Sequence, residues 1–203
     1  MAELYIVDGG MNELKNVYQL YEEDFPIEER KTYDQLEFLL SKKKYKLLVA
    51  NQRSNNELVG YTFIYELEQA NAIWLDYMAV NKEFRNKGYG AILLNHLAQY
   101  KQDGLGLFFE VEIPVEGENK NNQLRRIHFY ERLGAQKQDV GYEFPTNNGG
   151  FPMYLFFKPS SNHQKLPSKL IREAIAEAFE EIHTDVKNRE QILDKVLSTI
   201  EDC

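Results

Sequence analysis

Residues 74–100 read WLDYMAVNKEFRNKGYGAILLNHLAQY. An apolar run rich in strand formers reaches Val80, a short polar turn follows, and Arg85-Asn86-Lys87-Gly88-Tyr89-Gly90 opens a helix. Ala91, Leu94, Leu97 and Ala98 then recur at helical spacing. Strand, glycine turn and helix in that order make a cradle for a phosphate. The first helical N–H groups lack internal partners and point outward, and the helix dipole adds positive potential there. Glycines at 88 and 90 let the backbone wrap an oxyanion closely because no Cβ blocks the approach. Arg85 and Lys87 add mobile positive charge. An ordinary tight strand-to-helix turn would use the same glycines. The loop is neither a Walker loop, since no Gly-Lys-Ser/Thr ends it, nor a three-glycine dinucleotide fingerprint.

The segment resembles the acyl-CoA signature of the GNAT superfamily of N-acetyltransferases, Arg/Gln-x-x-Gly-x-Gly/Ala. Arg85, Gly88 and Gly90 fill its fixed positions, and Ala79-Val80 stands where the family's fourth strand commonly ends. A second segment, Phe129-Tyr130-Glu131-Arg132-Leu133-Gly134, resembles the family's Phe-Tyr-x-x-x-Gly, whose tyrosine donates to the CoA sulfur. The resemblance implies an α+β fold in three layers, with a mixed central sheet whose strands four and five splay apart. It implies acetyl-CoA as co-substrate. Pantetheine would meet the backbone of Met78, Ala79 and Val80, and the pyrophosphate would meet Arg85, Asn86, Lys87, Gly88, Tyr89, Gly90 and Ala91. Gln123 and Arg126 stand where many members carry asparagine and alanine facing the CoA.

Composition sets the outer limits. The chain has 203 residues, 43% of them apolar and 13% aromatic, enough for a real core. A net charge of −8 argues against nonspecific nucleic-acid binding, and no apolar run is long enough to span a membrane. The start, Met1-Ala2-Glu3-Leu4-Tyr5, lacks a secretory signal, and the lone Cys203 suits a reducing compartment, so the expected location is the cytoplasm. His96, His128, His163 and His183 have no metal-ligand spacing, and no metal is expected.

Taken in order, Leu4–Asp8 is a first strand and Asn12 caps a helix from about Glu13 to Glu23. The link Phe25-Pro26-Ile27-Glu28-Glu29-Arg30 leads to a helix over Thr32–Lys43. In GNAT enzymes this region commonly covers the acceptor site, which points to Phe25, Pro26 and Glu29; a solvated interhelical loop is the alternative. A hairpin over Tyr45–Asn51 and Glu57–Gln69 runs into the strand Ala72–Val80. Beyond the cradle helix come a strand at Leu107–Ile113, a polar loop at Glu116–Asn122 and a helix at Gln123–Leu133. Strands at Ala135–Phe144 and Phe151–Lys158 close the domain, residues 1–158. Pro159–Pro167 reads as a linker, and Ser168–Ile200 as a helical extension broken around Thr184–Asn188, so residues 159–203 form an appendage. Ile171, Ile175, Ala178 and Ile182 make an apolar stripe on it that must be buried, either against the domain or in a homodimer.

Acetyl transfer to an amine needs a polarised thioester carbonyl, a neutral amine and a proton for the leaving thiolate. Tyr130 is the expected general acid, since a phenol with a pKa of about 10 keeps its proton at neutral pH. The resemblance assigns the carbonyl to a backbone N–H near Met78. Alternation puts Trp74, Asp76, Met78 and Val80 on one face of their strand, and Glu110 and Glu112 on one face of the next. Aralkylamine acetyltransferases, which this stretch resembles locally, carry histidines at the positions of Trp74 and Asp76. Here Trp74 would line the acceptor site, and Asp76, Glu110 and Glu112 would bind a cationic amine and relay its proton. Structural pairing with Arg125, Arg126 or lysines is the alternative, since a carboxylate in an apolar strand needs a partner. The expected activity is acetyl-CoA-dependent acetylation of a small primary amine. Acetylation of a protein or peptide, and a noncatalytic CoA-sensing module, are the competing readings.

Overall fold

The computed structural model describes residues 4–161 and 166–201, so His163 and Cys203 lie outside the described residues. Two compact units make up the fold. The first is built from residues up to Glu66 together with Leu75–His96, the second from Leu67–Trp74 together with Leu97 onward.

In the first unit, strand β1 (Leu4–Gly9) precedes helices α1 (Met11–Asp24) and α2 (Tyr33–Leu40), and strands β2 (Tyr45–Gln52) and β3 (Leu58–Leu67) follow, with strand β4 (Ala72–Val80) belonging to this unit from Leu75 onward. β1 pairs antiparallel with β2, and β2 with β3, where Val49 faces Tyr61. The helical stripe Leu14, Val17 and Tyr21 is buried, as its spacing requires. Helix α1 starts earlier than Asn12 would have it. Gly10 is the N-cap, and its N–H donates to Glu13 Oε2 at 2.7 Å. Thr32 caps α2 reciprocally: Gln35 N donates to Thr32 Oγ1 at 3.3 Å, and Thr32 N to Gln35 Oε1 at 2.6 Å.

Gly60 on β3 brings the end of β4 into place. A Cβ there would stand 2.5 Å from Ala79 O and 3.2 Å from Leu93 Cδ1, so only glycine lets β4 and the helix after it approach this closely. That helix, α3 (Tyr89–Ala98), buries Leu93 and Leu94. It starts at Tyr89, inside the run 85–90 expected to open it, and Lys82–Phe84 forms a short 3₁₀ turn ahead of that run.

In the second unit, strand β5 (Gly106–Glu112) is followed by helix α4 (Lys120–Arg132) and strands β6 (Gln136–Lys137), β7 (Glu143–Thr146) and β8 (Gly149–Pro159). β8 pairs antiparallel with β5, and with β6 and β7 at its two ends. The single strand expected over Ala135–Phe144 is therefore divided. At the break the Gly141 N–H leaves the ladder and donates to Thr199 Oγ1 at 2.9 Å, because the C-terminal helices dock there.

Those helices, α5 (Ser168–Glu181) and α6 (Arg189–Ser198), are built into the second unit. Ile171, Ile175, Ala178 and Ile182 are buried, joined by Ala174 and Phe179. The Phe179 ring meets Tyr142 at 6.2 Å, and Arg172 Nη1 donates to Leu197 O at 2.8 Å. The apolar stripe is covered within the same chain, so its burial requires no second subunit. Among the described residues no helix is long and apolar enough to cross a membrane.

One buried carboxylate fastens α5 to the turn after β3. Glu177 Oε1 and Oε2 accept from Glu68 N at 2.9 and 3.1 Å, and Oε2 also accepts from Gln69 N at 3.1 Å. Hydrogen bonds to a charged group are the strong kind. Glu177→Ala should destabilise the protein by about 2–3 kcal/mol, read as a lower urea midpoint with an unchanged slope; a loss below about 0.5 kcal/mol would put the docking energy in the apolar stripe alone.

Candidate active site

β4 hands over to α3 through a loop whose backbone twice turns left-handed. Asn81 N donates to Val59 O at 2.9 Å, and Phe84 is buried against Val59 and Tyr89, its ring 5.8 Å from that of Tyr89. Asn86 then has φ 62° and Gly88 φ 86°. A Cβ on Gly88 would meet nothing within 4 Å, so the backbone angle requires glycine while the space beside it stays open. Ala91 N and Ile92 N both return to Gly88 O, at 3.1 and 3.3 Å, which makes Gly88 the N-cap of α3. The Tyr89 and Gly90 N–H groups fall in the first turn, where a helix offers no acceptor. Arg85, Asn86, Lys87 and Gly88 are exposed. An open, left-handed approach to a helix N-terminus fits a pyrophosphate.

Two side chains of this loop differ from expectation. Tyr89 is buried, so only its main chain is available to a ligand. Arg85 is held rather than mobile: Nε donates to Val80 O at 3.0 Å and Nη2 to Asp24 Oδ1 at 2.7 Å. Lys87 lies with Nζ 5.2 Å from the Phe84 ring centre.

The link between α1 and α2 is moored on β4. The Phe25 ring meets Tyr77 at 4.9 Å, Tyr77 Oη donates to Glu29 O at 2.5 Å, and Lys31 reaches Asp76. Pro26 is exposed, as is Ile27 at the tip. The structure thus places Phe25, Pro26 and Glu29 beside the strand that carries Met78, Ala79 and Val80.

Asp76 does not have the setting of a base reached by substrate. Its side chain is 1% exposed, and that of its partner Lys31 is 4% exposed. Lys31 Nζ stands 3.2 Å from both carboxylate oxygens, and Tyr45 Oη donates to Oδ2 at 2.5 Å. The structural pairing is what the fold contains, and its cation is Lys31. The residue as a whole is only half-buried, so the accessible surface at this point of β4 is main chain. Trp74 is likewise not a substrate contact. It is fully buried, stacked on Phe108 at 6.0 Å and packed against Tyr142 at 6.1 Å.

The second unit holds the remaining candidates. Tyr130 on α4 packs on Phe109 at 4.6 Å, and its hydroxyl has no hydrogen-bond partner among the described residues. Burial raises its pKa; Arg126 opposes this and Glu112 adds to it. Glu112, Gln123 and Arg126 are brought together as each other's partners. Gln123 Nε2 donates to Glu112 Oε2 at 2.9 Å, Arg126 Nη1 donates to Glu112 Oε1, and Gln123 Oε1 accepts from Val115 N at 3.0 Å. They brace the end of β5 against α4. Glu110 is half-buried and accepts from Tyr142 Oη at 2.8 Å.

Lys31, Tyr45, Tyr77 and Asp24 escaped the sequence reading. The only signal for the first was the rule that a carboxylate in an apolar strand requires a partner; nothing local pointed to a lysine between two helices.

The acetyltransferase (GNAT) family model matches residues 14–135, a span that contains β4, the loop at 85–91 and Tyr130. Two similar proteins share the name "Putative acetyltransferase". One is YjbC of Bacillus subtilis (strain 168), 28% identical over 173 residues, covering 83% of this chain and 82% of that protein. The other, a GNAT-family structure from Bacteroides thetaiotaomicron, has a TM-score of 0.70 at 21% identity, covering 88% of this chain and 98% of that one. The structure of spermidine N-acetyltransferase from Vibrio cholerae in complex with CoA and spermine has a TM-score of 0.58 at 16% identity. It covers 77% of this chain and 95% of its own. These structures share the fold. The match through β4, the cradle loop and α4 makes this chain a member of the GNAT acetyltransferase family, with the α+β fold and the N-acetyltransferase class that go with it.

Proposed function

We propose that the protein transfers an acetyl group from acetyl-CoA to a primary amine of a small, cationic molecule in the cytoplasm. The open left-handed turn at Asn86–Gly88, ahead of the α3 N-terminus, carries this reading. Its geometry suits a pyrophosphate, and its family assigns that pyrophosphate to CoA. The Vibrio cholerae relative, solved with CoA and spermine, supports a small polycationic acceptor. The domain of residues 1–158 would carry the chemistry and the extension of 159–203 would support it.

The amides of Asn86–Gly90 hold the pyrophosphate, with Lys87 adding charge. The accessible main chain of β4 around Met78 polarises the thioester carbonyl. Tyr130 holds the proton that the departing thiolate takes. Its hydroxyl is uncommitted, and burial keeps it protonated across the working range. Phe25, Pro26 and Glu29 line the way in for the amine. With Asp76 sealed against Lys31, and Glu112 engaged by Gln123 and Arg126, the amine's proton leaves through water.

Thiol release from acetyl-CoA across a panel of amines and peptides tests the assignment. Polyamine-like substrates should give turnover; CoA-induced thermal stabilisation without turnover on any amine would make the protein a CoA sensor instead. Tyr130→Phe should lower kcat by roughly 10²-fold or more while CoA affinity stays within about twofold. An equal loss in CoA binding would make the tyrosine a packing residue.

Solvent deprotonation also sets the pH dependence. A protein carboxylate acting as base would level kcat/KM once it ionised. With water as acceptor, kcat/KM should climb about tenfold per pH unit toward the amine's own pKa of about 10. Because the raised pKa of Tyr130 lies above that range, the proton it supplies is not lost on the way. Asp76→Asn leaves the Lys31 ammonium without its counter-charge and should cost about 3 kcal/mol of stability, seen in thermal melts. The folded fraction should keep kcat/KM within a few-fold. A stable variant with a large kinetic loss would restore Asp76 as the base.

A further inference from the structure

Helix α1 ends with charge of the wrong sign for its dipole. Glu22, Glu23 and Asp24 crowd its last turn, where no basic residue stands, although the carbonyl end of a helix favours cations. The compensating cations come from elsewhere in the chain. Arg30 Nη1 donates to Glu22 O at 2.8 Å, Lys82 Nζ meets Glu23 Oε2 at 2.9 Å, and Arg85 Nη2 meets Asp24 Oδ1 at 2.7 Å. Lys82 and Arg85 belong to the loop that opens α3. The Asp24 side chain is 9% exposed and its second oxygen accepts from Tyr61 Oη at 3.0 Å, so it is a fixed anchor. The guanidinium of Arg85 bridges the last carbonyl of β4 and the last residue of α1.

We propose that Arg85 is a positioning residue rather than a phosphate ligand: it latches Asp24, so the loop that grips the donor also fixes where the Phe25–Arg30 link begins. This rests on reading residues 86–91 as the donor site. Two cations of one loop hold the end of α1, and the link leaves α1 at the next residue. Ordering that loop on a pyrophosphate therefore steadies the link, and a steadier link tightens the loop in return, since coupling between sites is reciprocal. Donor occupancy prepares the acceptor entrance through a contact that touches neither substrate. The motif's arginine thereby acquires a function its position beside the glycines would not suggest.

Hydrogen–deuterium exchange of the full-length protein with and without CoA tests the latch. In the wild type, CoA should slow exchange at residues 86–91 and, by about fivefold or more, at the amides of residues 22–31. In Asp24→Asn, and in Arg85→Gln, whose side chain is 47% exposed and so tolerates replacement, protection at 86–91 should persist while that of 22–31 disappears. Asp24→Glu should recover part of it. CoA affinity, titrated calorimetrically, should change less than about threefold in either variant. Tenfold weaker CoA binding in Arg85→Gln would make the arginine a phosphate ligand and overturn the proposal, as would link protection that survives Asp24→Asn. Absence of protection at 86–91 in the wild type would instead remove the donor site itself, and the latch with it.

Discussion

A carboxylate in the middle of an apolar strand has to find a cation, and the first unit is arranged around how Asp76 does so. Ionised groups taken out of water cost several kcal/mol each unless paired and hydrogen-bonded. Lys31 supplies the charge, Tyr45 a second donor, and the Tyr77 ring lies 5.2 Å below the ammonium. Tyr21 Oη accepts from Lys31 N at 2.6 Å, which fixes the backbone that carries the ammonium. Burial raises the pKa of both Tyr21 and Tyr77, so they remain neutral phenols. A pair of this kind adds little net stability over an apolar substitute, but losing either partner leaves a buried charge uncompensated. Its consequence is a path: because Lys31 must reach Asp76, the chain between α1 and α2 has to cross β4.

That crossing is held at two ends by contacts of different character. At the Lys31 end the charges are nearly sealed, with side-chain exposures of 4% and 1%. At the α1 end they are open, Lys82 at 63% and Arg85 at 47%. Salt and competing ions screen the second far more than the first. A segment clamped firmly at one end and electrostatically at the other can adjust its entrance without losing its register on the strand. Such a division suits the acceptor-entrance role proposed for this link.

The framework was legible because its signals are local. Ala72–Val80 is a strand with the bounds its apolar run suggested, and the stripe of α5 is buried as its spacing required. Partners were not legible, because they come from far along the chain. Asp76 meets a lysine 45 residues away, and Gly141 breaks a strand to reach a threonine 58 residues away. Alternation put Trp74 and Asp76 on one face but could not say that this face was covered at both positions. The candidate carboxylates were identified by type, and type alone does not separate a base from half of an ion pair.

Two glycines show how a structure can separate what a motif confounds. At Gly60 a side chain is excluded by the backbone of β4, 2.5 Å from where its Cβ would stand, so the requirement is internal packing. At Gly88 the backbone angle demands glycine and nothing in the protein fills the space beside it. Gly134 is equally open, but it follows α4, where a left-handed residue ends a helix for purely local reasons. Gly88 precedes a helix, where the exposed amides attract an anion rather than satisfy carbonyls. Positive φ, open space and a helix N-terminus coincide at this residue. Packing alone explains Gly60 and chain reversal alone explains Gly134; Gly88 differs from both in standing ahead of a helix, the position on which the proposed pyrophosphate site rests.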